Sequence, residues 1–280
     1  MLDDVRLVSI LPFPSHRIYT QAFEYDRPSD TTAVVQGKTT LAEVHRLLYL
    51  ALIAHKYQFM EIERWARTYL ELHCSTPATH PYIHFPKFCT NEALAHLVRY
   101  AVIVESRPLR EAALKSIQAR VSGEQQHRMG LVEALNIGDT FGLRSLQGEL
   151  YYRILCDACR SMAIAMGPTE VMTFSKFRSH LPSDTSELQK DRLVQGYFTL
   201  IAVKDKVFES IYGNMNMSGR SDIALADLGH DRKVSVDILG RIDQLLVARP
   251  LDSVRTQLVN LYFEVKEAIP DYFLGKQSKA

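Results

Sequence analysis

Apolar residues return at three- and four-residue intervals along most of the chain, and nowhere do they alternate long enough to predict a strand. The clearest run lies between Thr39 and Cys74. Leu41, Val44, Leu47, Leu48, Ala51, Ala54 and His55 form one helical stripe and leave Glu43, Arg46 and Tyr49 largely outside it. A second set, Phe59, Ile62, Ala66, Tyr69 and Leu70 with Trp65 beside it, keeps the period but is out of phase with the first, which predicts two helices meeting near Tyr57 and Gln58. Thr40 and Glu43 have the S/T-x-x-E spacing in which each side chain satisfies the other residue's free backbone N–H, so the first helix is expected to open there. Ordering such a pair costs more backbone entropy than its stripes recover, and further helices must cover it.

The remaining chain supplies them. Upstream, Leu2, Val5, Leu7 and Ile10 predict a short helix ended by Pro12 and Pro14, and residues 15–38 read as irregular. Pro77, Pro81 and Pro86 make residues 75–89 a loop too broken for a helix. Helical spacing resumes at Thr90 with Ala93, Leu94, Leu97, Val98, Ala101, Val102 and Val104. Ser106 then reads as the cap of a helix to Val121, with Pro108 in its first turn and Gly123 closing it. Residues 124–137 predict the next helix, punctuated by Gly138 and Asp139, and residues 141–166 a longer one. Ser183 or Asp184 is the expected cap of a helix over residues 186–212. Residues 213–231, rich in Gly, Asn and Ser, read as a linker. Helices over residues 234–248 and 251–269 follow, the second ended by Pro270. The expected fold class is mainly α, a multi-helix array of about nine helices with no required sheet.

Charge narrows the function classes. Lys plus Arg number 33 against 32 Asp plus Glu, with no basic run, so a general nucleic-acid footprint is not expected. The longest apolar run, residues 47–54, is far short of a bilayer span, and the N-terminus is acidic where a signal peptide is basic. The chain is therefore expected inside the cell, cytoplasmic or nuclear, with no membrane partner. In a reducing compartment Cys74, Cys89, Cys156 and Cys159 read as thiols, and the sequon at Asn216 meets no glycosylation machinery.

Candidate chemistry is sparse. Gly37-Lys38-Thr39 resembles the end of a phosphate loop, but the motif's first glycine is replaced by Thr32, and an ordinary helix cap explains the rest. His73, Cys74, His80, His84 and Cys89 fall within one stretch and could gather a zinc ion, although the spacing of paired ligands is missing. Cys156 and Cys159 stand at i and i+3 of a helical segment, where cysteine behaves as a small buried hydrophobe. Trp65, Tyr151, Tyr152, Tyr197 and Phe198 are expected in the core. Pairs such as Asp227 with His230 occur by chance in any chain of this size. No catalytic, cofactor-binding or metal-binding residue is assigned.

One resemblance adds to this. The segment LLYLALIAHKYQFMEIERWARTYL, residues 47–70, resembles the closing helices of a BTB/POZ domain, with Ala54-His55-Lys56-Tyr57 as its A-x-K-Y element. Leu2-Asp3-Asp4-Val5-Arg6-Leu7 is similar to the helix just upstream in that fold. The blocks LRSLQGELYY, residues 143–152, and DRLVQGYFTLIAV, residues 191–203, resemble the helical C-terminal region of BTB-domain proteins abundant in mushroom-forming fungi. The resemblance implies a partial BTB/POZ end over residues 1–74, and the spacing and composition read above then divide the rest into the Pro/His loop 75–89, a helical domain 90–212, the linker 213–231 and a C-terminal helical pair 232–275. It also implies a non-enzymatic protein–protein interaction protein, a BTB-type adaptor whose partner is a cullin-type ligase component or a second copy. Such domains begin with strands and a dimer-forming helix that are not found ahead of residue 1, so a shortened member is expected. The alternatives are a zinc-binding or hydrolytic protein using the His73 to Cys89 loop, and a truncated gene product without independent function.

Overall fold

The structure is a computed structural model that describes residues 40–75, 84–124, 127–165, 174–216, 236–247 and 252–277. The protein is a mainly α multi-helix array, with eleven helices and no strand among the described residues. The chain divides into two compact units, Met1–Cys89 and Thr90–Ala280. The helix predicted over residues 2–11 lies outside the described residues.

In the first unit, α1 (Leu41–Lys56) and α2 (Met60–Ser75) lie against each other, and the one-turn α3 (Phe85–Phe88) touches both. The expected capping box is present: Glu43 N donates to Thr40 Oγ1 at 3.3 Å and Thr40 N donates to Glu43 Oε2 at 2.6 Å. Val44, Leu48, Ala51 and Ala54 of α1 are buried, as are Ala66, Leu70, His73 and Cys74 of α2. Helix α3 corrects the expectation that prolines leave residues 75–89 without helix. Pro86 occupies the first turn, where its missing N–H would have no partner in any case.

The two long helices meet where periodicity placed the junction. Gln58 takes a left-handed φ of 60°, its N–H reaching His55 O at 3.2 Å while Phe59 N reaches Ala54 O at 2.8 Å. This is the paired closure that usually carries glycine and brings the residue after it against an apolar partner. The partner position here is Ala54, too small to cover a phenyl ring, and Phe59 stays exposed instead of joining the α2 stripe.

The second unit opens with α4 (Asn91–Ile103) and α5 (Arg107–Val121), which pack together. Thr90 caps α4 by accepting from Ala93 N at 3.2 Å, and Ser106 caps α5 by accepting from Leu109 N at 3.4 Å. The join repeats the device at Gln58. Glu105 has φ 52°, Ser106 N bonds Ala101 O at 2.9 Å and Glu105 N bonds Val102 O at 3.2 Å.

Helix α6 (Leu131–Phe141) leads into α7 (Arg144–Ala165), then α8 (Phe174–Ser179), α9 (Glu187–Asn216), α10 (Ile238–Val247) and α11 (Asp252–Leu274). Four expectations about these elements are corrected. Helix α6 begins at Leu131 and runs through Gly138, whose bare Cα admits the Gln147 side chain of α7; its stop is Gly142, at φ 63°. Helix α9 is capped by Ser186 rather than Ser183 or Asp184, because Ser186 and Gln189 satisfy each other's backbone N–H at 2.8 and 3.3 Å. It also runs on to Asn216, into the first residues of the expected linker, whose remainder lies outside the described residues. Pro270 lies inside α11 instead of ending it.

The reason for the last correction is tertiary. Helix α7 packs against α6, α9 and α11, and α11 also lies on α9 and α10. A Cβ on Gly148 of α7 would stand 2.7 Å from Pro270 Cα, and a Cβ on Gly196 of α9 would overlap the Phe273 ring. Beyond Pro270, Phe273 stacks on Tyr151 with centroids 5.5 Å apart, and Arg144 pairs with Asp271 at 2.6 Å and donates to Gly275 O. These contacts hold the last turn although the proline removes a helical hydrogen bond.

Two outcomes follow for stability. Gln58→Gly and Glu105→Gly should each raise it by about 0.5–1 kcal/mol, since glycine removes the left-handed strain; urea midpoints unchanged or lowered would contradict this. Gly148→Ala should lower stability by about 1–3 kcal/mol even though alanine is the better helix former by about 1 kcal/mol. A rise in the urea midpoint would show that α11 does not depend on the close approach.

Candidate functional site: the outer face of helix α1

Among the described residues, helix α1 buries the side that carries Val44, Leu48, Ala51 and Ala54, and apolar residues also stand on its other side. With 100° per residue, Arg46, Tyr49, Ile53, Lys56 and Tyr57 fall on the side opposite Val44, Leu48 and Ala51. Exposure on that side and around the following corner ranges from 39% at Ile53 to 63% at Met60, with Tyr49, Tyr57 and Phe59 between. The Tyr57 and Phe59 rings are 6.3 Å apart, and the Lys56 ammonium sits 5.5 Å from the Tyr57 centroid. Clustered exposed apolar and aromatic side chains of this kind are characteristic of association surfaces.

The His/Cys stretch is only partly gathered. Cys74 and Cys89 are both buried thiols, with Cys89 Sγ donating to Pro86 O at 3.7 Å. Burial pushes the Cys74 thiol far up, and nearby Cys89 adds to the shift. Burial also lowers His84. Protonated thiols are poor ligands and poor nucleophiles. His80 lies outside the described residues, and among those described no three His, Cys, Asp or Glu side chains are placed to hold a metal. Residues 37–39 of the phosphate-loop resemblance, and Asp227 with His230, also lie outside them.

The second unit contains a polar cluster that periodicity could not reveal. Asp139 of α6 accepts from Gln147 at 2.7 Å and Arg192 at 3.1 Å on Oδ1, and from Gln189 at 2.8 Å and Tyr151 at 3.3 Å on Oδ2. A carboxylate offers about four acceptor sites, so Asp139 is saturated by its own neighbours. The cluster ties α6, α7 and α9 together and leaves no lone pair for a reacting proton. Burial raises the Tyr151 phenol to about 12, Arg192 opposing and Asp139 assisting.

A second tie joins α7 to α10. Tyr152 donates to Asp237 at 3.0 Å and accepts from Leu239 N at 3.0 Å, while Asp237 accepts from Gly240 N at 2.9 Å at the start of α10. Cys159 is buried and Cys156 half-buried, and burial pushes both thiols up, Cys159 to about 12. Of the aromatics expected in the core, Tyr151, Tyr152 and Tyr197 are buried, whereas Phe198 is exposed and Trp65 half-buried. Among the described residues no helix is long and apolar enough to cross a membrane.

No family model, curated protein or solved structure matches the chain.

The raised Tyr151 phenol gives a pH dependence. It holds its proton to about 12 in the fold against 10.0 ordinarily, so its contribution is complete below pH 10 and drains away as pH climbs towards 12. Tyr151→Phe should cost about 1 kcal/mol at neutral pH through the lost hydrogen bond, and then lose less stability than the parent between about pH 10 and 12. Guanidinium unfolding across that range showing equal losses in both proteins would contradict it.

Proposed function

We propose that the chain is a non-enzymatic protein–protein interaction protein whose docking element is the outer face of α1. The observation that carries this reading is the exposed set formed by Ile53 and Tyr57 at the end of α1 and Phe59 and Met60 at the corner after it, while Val44, Leu48, Ala51 and Ala54 on the opposite side of α1 are packed. The saturation of Asp139 supports it further, because the polar cluster of the second unit works as a clamp rather than as a reactive centre.

Within that reading the first unit stands for the closing helices of a BTB/POZ-like fold. The support is the resemblance of residues 47–70, with the helix that ends at Lys56 followed closely by a second from Met60. The partner classes implied are a cullin-type ligase component and a second copy of the chain.

The test is quantitative affinity capture with the full chain and with Ile53→Asp combined with Tyr57→Asp. Both positions are exposed, so stability should change by no more than about 0.5 kcal/mol. Proteins retained by the parent and lost from the variant are the expected result. Identical capture by the two, or capture of nothing by either, itself included, would remove the reading.

A further inference from the structure

The charge around the α1 face identifies the kind of partner it fits. Arg46 and Lys56 are exposed and flank the Tyr49, Ile53 and Tyr57 stripe, one at each end, and neither forms an ion pair among the described residues. The carboxylates nearest to them in the sequence are already committed. Glu43 is held by the Thr40 N–H and hydroxyl, Glu61 pairs with Arg64 at 3.3 Å, and Glu63 pairs with His55 at 3.0 Å. The stripe is thus an apolar strip about 12 Å long, little more than two helical turns, with a cation that no described carboxylate pairs near each end.

From this we infer that the face takes an amphipathic helix of a partner protein, with an apolar stripe and acidic residues at its edges. The inference rests on the interaction reading above and specifies its partner. The stripe is an inclined i, i+4 row that a partner helix can cross, with side chains at i, i+3, i+4 and i+7 meeting Tyr49, Ile53 and Tyr57. The flanking cations select its charge. They also disfavour a second copy, because a two-fold contact between identical faces sets Arg46 and Lys56 of one chain against the same cations of the other.

The probe is a fluorescein-labelled helical peptide of about 16 residues with leucines at that spacing and glutamates along both edges, beside a twin in which lysine replaces every glutamate. Fluorescence anisotropy with the full chain should show the acidic peptide binding at least about tenfold tighter than the twin. Its affinity should fall as NaCl rises from about 0.05 to 0.5 M. Ile53→Asp should abolish binding with the circular dichroism spectrum and urea midpoint unchanged. Arg46→Glu with Lys56→Glu should reverse the preference, so that the lysine peptide binds tighter. Equal binding of the two peptides, binding of neither, or a preference that survives the charge reversal would overturn the inference. A dimer in sedimentation equilibrium that Ile53→Asp dissolves, with no peptide bound, would give the face to a second copy and overturn it too. If the peptides fail while capture still depends on Ile53 and Tyr57, the interaction reading stands and only the acidic partner is lost. If capture is also unaffected, both fall.

Discussion

The second unit is held in shape by how closely α11 approaches α7 and α9, and that distance is set by two missing side chains. Gly148 lets Pro270 rest directly on the backbone of α7, and Gly196 makes room for the Phe273 ring. Once those two contacts are made, the Tyr151 stack and the Arg144 pair with Asp271 fall into reach, and a helix interrupted by proline continues for another turn. Tyr151 then links this apolar seam to the Asp139 cluster, since one side of its ring meets Phe273 while its hydroxyl reaches the carboxylate. Packing and polar anchoring on α7 are therefore not independent. Changes at the glycine seam should couple energetically to changes around Asp139, as neighbours sharing a residue do.

The two units treat their surfaces in opposite ways. In the second, the half-buried Asp139 carboxylate, which would be costly to leave without partners, is given four donors that tie three helices together. In the first, α1 carries apolar side chains beyond what α2 and α3 cover, and the excess faces water. A folded chain gains nothing from exposed tyrosine, isoleucine, phenylalanine and methionine grouped at one place, whereas an association surface does. That contrast is what the interaction reading proposed above rests on.

How far the sequence alone reached differs from element to element, for physical reasons. The Thr40 and Glu43 box, the α1 stripe and the junction at Gln58 are local: each depends on residues within about one turn of each other, so spacing is enough to find them. The misplaced stops are cases where distant contacts outweigh a local signal. Gly138 reads as a breaker but serves to admit Gln147, and Pro270 reads as a terminator but is carried by Gly148. The Asp139 cluster draws on residues 8 to 53 positions away, and no spacing rule links them. Ser183 and Asp184 look as good a cap as Ser186; only the reciprocal bonds with Gln189 decide between them. Phe59 and Phe198 fail for another reason, because periodicity reports which residues share a face and says nothing of whether anything covers it.

The corner after α1 bears on how strongly a partner could be held. Gln58 adopts a left-handed conformation that disfavours a side chain, yet two backbone hydrogen bonds fix it there and place Phe59 beside Tyr57. The rings at this corner are thus positioned by the backbone before any partner arrives. Much of the cost of association lies in ordering side chains and loops at the contact, and aromatic groups with few rotatable bonds on a capped helix have little left to order. On the proposed reading, a short strip of this kind compensates for modest area through preorganisation, the cations near its ends selecting charge and the fixed aromatic corner setting register.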